Sequence, residues 1–310
     1  MAERRLCRPA CPGSTVAVVA PSSPLKPELI ALGIEELKRL GFQVKGPQDP
    51  GRKWRYLAGK DESRLEELRC ALHDPEVAAI FCARGGHGII RLLSHLDDNW
   101  FTRDPKIIVG ASDATALLNF SALKCGVPAV HGPMPAQTLR QGPSAYDPLI
   151  MLKLLGDSEP AGILAPEGVE PLRKGKSDGI LAGGCLSVLC SLIGTPFEPD
   201  TRGTILLLED LGEKPYRIDR MLTQMRLAGW FEEIKGVVFG EMPDCVQHPD
   251  QGYALTDVIL ERFEGTRFPI LFAFPTGHTR SRNLSLPLGV KAELDADQGR
   301  ITILEPLVSA

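Results

Sequence analysis

The sequence predicts an α/β protein of two domains, with a parallel sheet in the first domain. Three observations lead to this fold class. Short apolar strands alternate with amphipathic helices over residues 1–155, which is typical of a parallel sheet with helices on both faces. Residues 156–178 lack periodicity and are rich in Gly, Pro and charge, which indicates a linker. Residues 179–310 form a second unit, and its last segments alternate in the manner of antiparallel β structure.

The elements of the first domain follow from the spacing of its apolar residues. Apolar runs predict strands over residues 15–20, 42–44, 77–82, 106–109 and 128–130. Apolar residues at helical spacing predict helices over residues 28–40, 61–72, 89–94, 113–124 and 147–155. Gly41 ends the first of these helices, and Asp61 is the predicted N-cap of the second.

The second domain continues the alternation and then changes character. Apolar runs predict strands over residues 179–182, 204–208, 236–239 and 270–272. The predicted helices between them are residues 186–193, 216–228 and 255–263. The tail predicts antiparallel strands over residues 284–288, 290–294 and 300–304.

Composition excludes several classes of protein. The 310-residue chain has a formal net charge of -4, whereas nucleic-acid-binding domains usually carry a basic excess, so we expect no nucleic-acid partner. No apolar run is long enough to span a bilayer, so we expect no membrane partner. Arg4 and Arg5 resemble the start of a signal peptide, but Arg8 and Pro9 stand where its apolar segment would lie. We therefore expect a cytoplasmic protein.

The cysteines and histidines show no metal-binding pattern. Eight cysteines are present, none in Cys-x-x-Cys spacing, and the six histidines form neither His-x-x-x-His nor His-Glu-x-x-His. The cysteines are therefore expected to be reduced, buried thiols. We expect no metal site and no cofactor.

The stretch at residues 105–118 combines a strand, a tight turn and a helix. The turn reads Gly-Ala-Ser-Asp-Ala and places Ser112 directly after the strand. A serine on such a turn projects its hydroxyl above the sheet, as in a nucleophile elbow, although the Gly-x-Ser-x-Gly pattern is absent. The alternative is that Ser112 caps the helix. If Ser112 is the nucleophile, Asp113 takes or shares the capping role.

Polar side chains follow four of the predicted strands. These clusters are Arg84-Gly85-Gly86-His87-Gly88, Ser112-Asp113, Glu209-Asp210 and Thr276-Gly277-His278. Because ligands bind beyond the carboxyl ends of strands in open parallel sheets, we expect the clusters to meet. They supply the parts of serine-based acyl transfer, with Ser112 as nucleophile, His278 as base and Glu209 to orient the base. The glycine-rich loop offers backbone N–H groups to an oxyanion.

Each of these parts also has a structural alternative. The glycine pair could form a simple turn or a phosphate cradle, although Gly-x-Gly-x-x-Gly and a Walker lysine are absent. The histidine could be a loop residue without a catalytic role. Arg217 and Arg220 are expected to form structural salt bridges, and their candidate partners are Glu209, Asp210 and Asp219. The rival bases are His87 and His131.

The ordered set of motifs resembles the LD-carboxypeptidase family of serine peptidases. That family includes muropeptide-recycling carboxypeptidases and microcin-immunity carboxypeptidases. The matching stretches run in family order across nearly the whole chain. They are residues 18–22, Arg84-Gly85-Gly86-His87-Gly88, Gly110-Ala111-Ser112-Asp113-Ala114, His131-Gly132-Pro133-Met134, Gly183-Gly184-Cys185, Gly194-Thr195-Pro196, Leu208-Glu209-Asp210, residues 215–220, Gly277-His278, Asn283 and Pro287-Leu288-Gly289.

The resemblance implies a role for each residue of the site. It implies Ser112 as nucleophile, His278 as general base and Glu209 as the carboxylate that orients it. It implies an oxyanion hole from the backbone N–H groups of Gly86 and Asp113. It also implies a flavodoxin-like parallel-sheet N-terminal domain with the nucleophile, a β-rich α/β C-terminal domain with the other two residues, and a homodimer.

The expected reaction is hydrolysis of the amide to a C-terminal D-amino acid, with the terminal D-Ala of a cytoplasmic murein tetrapeptide as the expected substrate. Arg84 could bind the free carboxylate of this peptide or brace its own loop through a salt bridge. Gly85 and His87 are the other substrate-binding candidates. Two alternatives stay open, namely hydrolysis of an aminoacyl-nucleotide conjugate and a non-catalytic two-domain protein that binds a small ligand.

Two positions depart from the family pattern. His87 stands where the family usually has Tyr, and Cys185 stands where it usually has Asn. Neither residue belongs to the presumed triad. Both are expected near the cleft, so they bear on substrate preference.

Overall fold

The computed structural model describes residues 2–246 and 249–310 and arranges the chain around two sheets. The strands are β1 (Thr15–Val19), β2 (Gln43–Lys45), β3 (Val77–Cys82), β4 (Ile107–Gly110), β5 (Ala129–His131), β6 (Gly162–Leu164), β7 (Glu170–Arg173), β8 (Lys176–Cys185), β9 (Thr204–Glu209), β10 (Gly236–Gly240), β11 (Ile270–Phe274), β12 (Leu286–Leu288), β13 (Lys291–Asp295) and β14 (Arg300–Ile303). The α-helices are α1 (Pro27–Arg39), α2 (Asp61–His73), α3 (Asp98–Thr102), α4 (Thr115–Asn119), α5 (Pro148–Gly156), α6 (Leu186–Leu192), α7 (Pro215–Leu227) and α8 (Leu255–Arg262).

The first sheet has the strand order β12-β5-β4-β3-β1-β2. Strands β1 to β5 pair in parallel, and β12 joins β5 as an antiparallel edge strand. Every residue of β3 and β4 is buried, as expected for parallel strands that are covered on both faces. The parallel sheet predicted for the first domain is therefore confirmed.

The second sheet has the order β6-β14-β13-β8-β9-β10-β11-β7. Its centre, β8 to β11, is parallel, and antiparallel strands flank this centre on both sides. All residues of β9 and β10 are buried. The polar residues that follow β9 and β11 therefore emerge at the same end of the second sheet, which is the geometry that a site at strand ends requires.

The structure corrects the linker predicted over residues 156–178. This stretch contains β6, β7 and the start of β8, and β6 and β7 lie at the two edges of the second sheet. The sequence Glu170-Pro171-Leu172-Arg173 of β7 has the Pro and charges of an edge strand, so it carries little apolar signal. The division into two domains stays a prediction. The tail segment β12 is antiparallel as predicted, but it pairs with the first sheet.

Two predicted helices are divided in the structure. The helix expected over residues 89–94 consists of two 3-10 turns, Ile89–Arg91 and Leu93–His95. The Ile89 N–H donates to the Asp113 carboxylate, which holds the start of this segment against the serine turn. The helix expected over residues 113–124 consists of a 3-10 turn at Ser112–Ala114, then α4, then a π-turn at Phe120–Lys124.

The start of α2 and the existence of α3 also differ from the sequence prediction. Asp61 is the first helical residue of α2 and not its cap, because its carboxylate pairs with Arg64 and Arg91 instead. Helix α3 was not predicted. The side chain of Asp97 caps it by accepting a hydrogen bond from the Asn99 N–H. An acidic residue directly before a helix is the sequence feature that indicates such a cap.

The eight cysteines are free thiols. Six of them are buried, as predicted, and burial is the main reason that the pKa of Cys82 rises to about 12. The prediction is wrong for Cys11 and Cys70, which are exposed. No helix in the described part of the chain is long and apolar enough to cross a membrane.

One buried side chain fastens the helix after the serine turn to the second sheet. Asn119, the last residue of α4, donates to the Gly183 carbonyl at 2.9 Å and accepts from the Gly183 N–H at 3.0 Å. Nearby, the Thr115 hydroxyl accepts a hydrogen bond from the Cys185 N–H at 3.0 Å. These bonds connect α4 to β8 inside an apolar core. We call the contacts of Asn119 and Thr115 with β8 the polar joint between the first sheet and the second sheet.

We predict that Asn119→Ala lowers the free energy of unfolding by about 1–3 kcal/mol, because a buried N–H and a buried carbonyl of Gly183 both lose their partner. Urea denaturation followed by circular dichroism measures this change. The matched control is Asn99→Ala, an exposed asparagine of α3, for which we expect a change within about 0.5 kcal/mol. Equal effects of the two substitutions would contradict the role of the joint.

Candidate active site

Ser112 lies on a strained turn directly after β4. Its φ is +58°, in the left-handed region that side chains other than Asn and Asp rarely adopt. Its side chain is half-buried, and neither the 3-10 turn nor α4 begins with a side-chain cap. The capping alternative for Ser112, and the capping role given to Asp113, are therefore wrong. The turn has the strain and the strand-to-helix position of a nucleophile elbow.

The glycine-rich loop packs directly against this serine. A Cβ on Gly85 would lie 2.6 Å from the Ser112 Cβ and 2.7 Å from its Oγ, so only glycine fits there. The Gly85 N–H donates to the side chain of Gln137. The next residue, Gly86, has a φ of +119° and lies against Ser23. The loop thus brings the backbone of Gly85 into contact with the serine turn.

The Asp113 carboxylate holds three segments together. One of its oxygens accepts from the Ser22 hydroxyl at 2.7 Å and from the Ile89 N–H at 3.0 Å. Ser22 belongs to the turn after β1, and Ile89 follows the glycine-rich loop. The carboxylate therefore fixes the loop relative to the serine, while the backbone N–H of Asp113 stays beside Gly85.

Arg84 braces the loop through backbone carbonyls. Its guanidinium donates to the carbonyls of Gly85 and Pro24, and within the described residues it has no salt bridge of the kind considered from the sequence. His87 is exposed, and its ring lies 5.8 Å from the ring of Tyr56. The substrate-binding roles of Arg84, Gly85 and His87 stay predictions.

Glu209 is the last residue of β9 and is fully buried. Its Oε2 accepts two hydrogen bonds from one residue, from the His278 backbone N–H at 2.9 Å and from His278 Nδ1 at 2.7 Å. These two hydrogen bonds to one oxygen fix the imidazole and leave Nε2 as the ring nitrogen that Glu209 does not contact. The structure therefore brings together the carboxylate and the histidine that the sequence paired.

The predicted arginine partners of the carboxylates are wrong. Arg217 pairs with Glu213 at 3.1 Å, and Arg220 lies over the ring of Tyr216. The other acidic candidates also have different partners. Asp219 pairs with Arg262, and Asp210 accepts from the backbone N–H groups of Ser187 and Leu211.

Burial and the Glu209–His278 contact act in opposite directions on the pKa values of both groups. Burial favours the neutral carboxyl of Glu209, but the imidazole of His278, hydrogen-bonded to it, and the imidazole of His131, which faces it, outweigh burial and hold the pKa of Glu209 well below its usual range. Burial also favours neutral His278, but the hydrogen bond and charge of Glu209 raise the pKa of His278 above its ordinary value of 6.5. The pair is therefore a carboxylate that stabilises an imidazolium.

A second histidine lies behind the carboxylate. His131, the last residue of β5, is fully buried, and its Nε2 lies 3.5 Å from Glu209 Oε1. The absence of a side chain at Gly277 lets the two side chains approach, since a Cβ there would lie 2.6 Å from both. His131 therefore contacts the back of the carboxylate, and its burial excludes the rival-base role. The feature of the sequence that indicates a place in the site for His131 is its position at the end of a predicted strand.

A cavity of about 220 Å³ is lined by Ala111, the neighbour of Ser112, and by His278. Its other lining residues include Gly132, which follows β5 of the first sheet, and Gly277, which follows β11 of the second sheet. Asp244 and Arg280, which form an ion pair, are its charged lining residues among those described. Cys185 is not part of this lining, because its thiol turns toward Asp210 and Ser187.

Other parts of the described chain offer weaker candidates. A cavity of about 340 Å³ lies beside the π-turn after α4, but none of the site residues lines it. Among residues 2–246 and 249–310, no group of three or more His, Cys, Asp or Glu side chains could hold a metal ion. The cavity beside His278 is therefore the candidate active site, because His278 lines it together with Ala111, the neighbour of Ser112.

A serine on a strained turn next to a cavity, and a histidine in the wall of that cavity held by a buried carboxylate, supply the chemistry of a serine hydrolase. Comparison with known families makes this class specific. Residues 16–132 match the LD-carboxypeptidase N-terminal domain, and residues 178–294 match the LD-carboxypeptidase C-terminal domain. The chain belongs to the LD-carboxypeptidase family and is a serine carboxypeptidase, as its resemblance to that family indicated.

Individual relatives support the same assignment. A Bacillus subtilis protein named as a probable murein peptide carboxypeptidase is 34% identical over 96% of this chain and 93% of its own. The structure of a muramoyltetrapeptide carboxypeptidase from Oxalobacter formigenes matches with a TM-score of 0.84 and 27% identity, over 96% of this chain and 100% of that one.

Similarity extends to a second named activity. The microcin C7 self-immunity protein of Escherichia coli is 27% identical over 98% of this chain and 97% of its own. A structure of a protein with that name, in complex with aspartyl sulfamoyl adenosine, matches with a TM-score of 0.91 and 26% identity, over 98% of this chain and 100% of that one.

We predict that Gly85→Ala lowers the rate of Ser112 acylation about a hundredfold while the fold is retained, because the added methyl group displaces the serine side chain. The rate constant for labelling by a fluorophosphonate, read by intact mass, measures the effect. The matched control is Gly51→Ala, whose added Cβ makes only an ordinary contact at 3.5 Å. A labelling rate for Gly85→Ala equal to that of the control would contradict this packing argument.

The pH dependence of this labelling follows from the Glu209–His278 pair. Because neutral His278 must accept the serine proton, the rate should fall as pH drops through the pKa of His278, with a midpoint above 6.5. Glu209→Gln should move the midpoint to lower pH, since the charge that stabilises the imidazolium is gone, and lower the plateau by roughly three to four orders of magnitude. Glu213→Gln, on the next loop, should change neither.

Proposed function

We propose that this serine carboxypeptidase hydrolyses the amide that links an L-centre to a C-terminal D-amino acid, with the terminal D-Ala of a murein tetrapeptide as its substrate. The observation that carries the proposal is the shared cavity. Ala111, next to Ser112 on the strained turn, lines it, and so does His278, which buried Glu209 holds. Relatives named for murein peptides support the substrate class.

In the proposed reaction, Ser112 Oγ attacks the carbonyl carbon of the L-residue while its proton passes to Nε2 of His278. The oxyanion binds to the backbone N–H groups of Gly86 and Asp113, which the contacts of Gly85 support as neighbours of the serine. Collapse of the tetrahedral intermediate breaks the C–N bond, and His278 gives the proton to the leaving amine. Water then cleaves the acyl-enzyme by the same route.

A carboxypeptidase must also recognise a free carboxylate. Arg84 uses its guanidinium to brace the loop beside Ser112, and this places a cation close to the reacting centre. Arg280 lies in the cavity wall itself, and its charge is shared with Asp244. We propose that these two arginines provide the positive field for the C-terminal carboxylate.

A second candidate is hydrolysis of an aminoacyl-nucleotide conjugate, and the overlap with the microcin self-immunity structure favours it. One feature of the cavity supports the peptide instead. Its described lining residues include no Phe, Tyr or Trp on which a base could stack. The cytoplasmic location and the homodimer remain proposals that rest on the resemblance.

We predict that Ser112→Ala abolishes release of D-Ala from a murein tetrapeptide, with a loss of several orders of magnitude in turnover and an unchanged melting temperature, because triad members act as a unit. Chromatography of the released amino acid measures turnover. The matched control is the exposed Ser144→Ala, which should keep the wild-type rate.

The same assay separates the candidate functions. Aspartyl sulfamoyl adenosine is incubated with the wild-type enzyme in parallel with the tetrapeptide. Faster cleavage of the nucleotide conjugate would overturn the peptide assignment. Failure of a fluorophosphonate to acylate Ser112, together with an absence of hydrolysis of either compound, would favour the non-catalytic binding protein.

A further inference from the structure

Glu209 carries one oxygen that the catalytic contact does not use. Its Oε2 accepts both hydrogen bonds from His278, whereas Oε1 has no hydrogen-bond partner within the described residues. Leaving a buried carboxylate oxygen unpaired costs free energy, because the group has lost its water. A donor for Oε1 is therefore expected close by.

His131 supplies the atom that faces this oxygen. Its Nε2 lies 3.5 Å from Oε1, and this nitrogen is also buried and otherwise unpaired in the part of the chain described. An unpaired acceptor and an unpaired ring nitrogen therefore face each other, and both side chains are fully buried. Because the pKa of Glu209 is held low, Oε1 belongs to a carboxylate, and an N–H on Nε2 that points at Oε1 satisfies both atoms.

The other ring nitrogen fits this arrangement. His131 Nδ1 lies 3.4 Å from the hydroxyl of Thr276, a buried side chain in the segment that leads to His278. A hydroxyl can donate to an unprotonated Nδ1 while Nε2 carries the hydrogen. The neutral ring with its proton on Nε2 therefore satisfies both contacts at once.

The backbone of His131 is fixed to the strand that precedes the nucleophile. It pairs in register with Gly110 of β4 and with Leu286 of β12. Its side chain reaches across to the end of β9, through the space that Gly277 leaves open. His131 thus connects the first sheet, which positions Ser112, to the carboxylate of the second sheet.

We propose that His131 is a positioning residue that donates its Nε2–H to Glu209 Oε1, so that the carboxylate is shared between two imidazoles. This donor reserves Oε2 for His278 and draws part of the negative charge away from it. Without the donor, Glu209 would stabilise the imidazolium of His278 more strongly. His131 thereby limits how far Glu209 raises the basicity of His278. The proposal rests on the triad assigned under the proposed function.

Several other groups face this pair and are left unchanged in the experiment. They are Asp210 directly after β9, Cys185 at the end of β8, and Asp244 and Arg280 in the wall of the cavity that His278 lines. Because substitutions at position 131 alter none of them, a change in the pH midpoint reports the contact between His131 and Glu209.

The test compares His131→Phe with His131→Gln. Phenylalanine fills the space but offers no donor, whereas the glutamine amide can place an N–H near the position of Nε2. The rate of fluorophosphonate labelling of Ser112 is measured against pH for wild type and both variants, with melting temperatures as the check of folding. This readout needs no knowledge of the natural substrate.

We expect His131→Phe to move the midpoint upward by about one pH unit, since a hydrogen bond to a charged group is lost and His278 becomes more basic. His131→Gln should restore a midpoint close to that of wild type. A lower plateau or melting temperature with an unmoved midpoint in His131→Phe would show a role in packing only and would overturn the proposal. Failure of wild type to label would instead overturn the proposed triad.

A second measurement, NMR spectroscopy, uses the wild-type protein and so does not depend on the folding of a variant. In wild-type protein with 15N-labelled histidine, the ring nitrogens of His131 report their protonation directly by NMR. We expect Nε2 protonated and Nδ1 unprotonated. A ring with its proton on Nδ1 could not donate to Glu209, and that result would overturn the proposal.

Discussion

The buried carboxylate of Glu209 is the constraint on which the site depends. A fully buried charge is costly unless several donors surround it, and here the donors are the backbone and ring of His278, with the ring of His131 behind. This requirement reaches into the neighbouring strands. A Cβ on Gly240 would lie 2.6 Å from the Glu209 Cβ, so the adjacent strand must carry glycine there. The position of the carboxylate thus determines the residues around it.

On the serine side of the site, the constraint is the backbone strain at Ser112. A left-handed φ at Ser112 is unfavourable for a side chain and persists only when neighbours determine it. Gly85 lies in contact with the serine, a Cβ on Gly110 would lie 2.6 Å from Ala114, and Asp113 ties the turn to two other segments. The small residues of this region are therefore explained by close packing around one strained residue.

The sequence predicted those features that depend on local pattern. The strand at Ile107–Gly110, the turn at Ser112 and the carboxylate at the end of β9 follow from apolar runs that stop at polar residues. Partners across the fold could not be read in this way. Arg217 was expected near the acidic residues after β9 and lies with Glu213 instead, and the place of His131 behind Glu209 depends on the pairing of two separate sheets.

Neither the edge strands nor the division of two predicted helices into shorter turns could be predicted from the sequence, for physical reasons. The strand Glu170–Arg173 lies at a sheet edge and none of its residues is fully buried, so its sequence has no apolar pattern that would predict a strand. The two 3-10 turns after the glycine-rich loop depend on a hydrogen bond from Ile89 to Asp113, a contact between residues far apart in sequence. Local propensity describes such segments poorly because distant partners decide their conformation.

A site divided between two sheets works only if the sheets are fixed relative to each other. Three contacts join the two sheets. His131 meets Glu209, β12 returns from the second half of the chain to pair with β5, and Asn119 joins α4 to β8. Because α4 begins just after Ser112 and β8 lies beside β9, the last contact links the strand ends that carry nucleophile and carboxylate. Preorganisation of the site is thus a consequence of how the two sheets are joined.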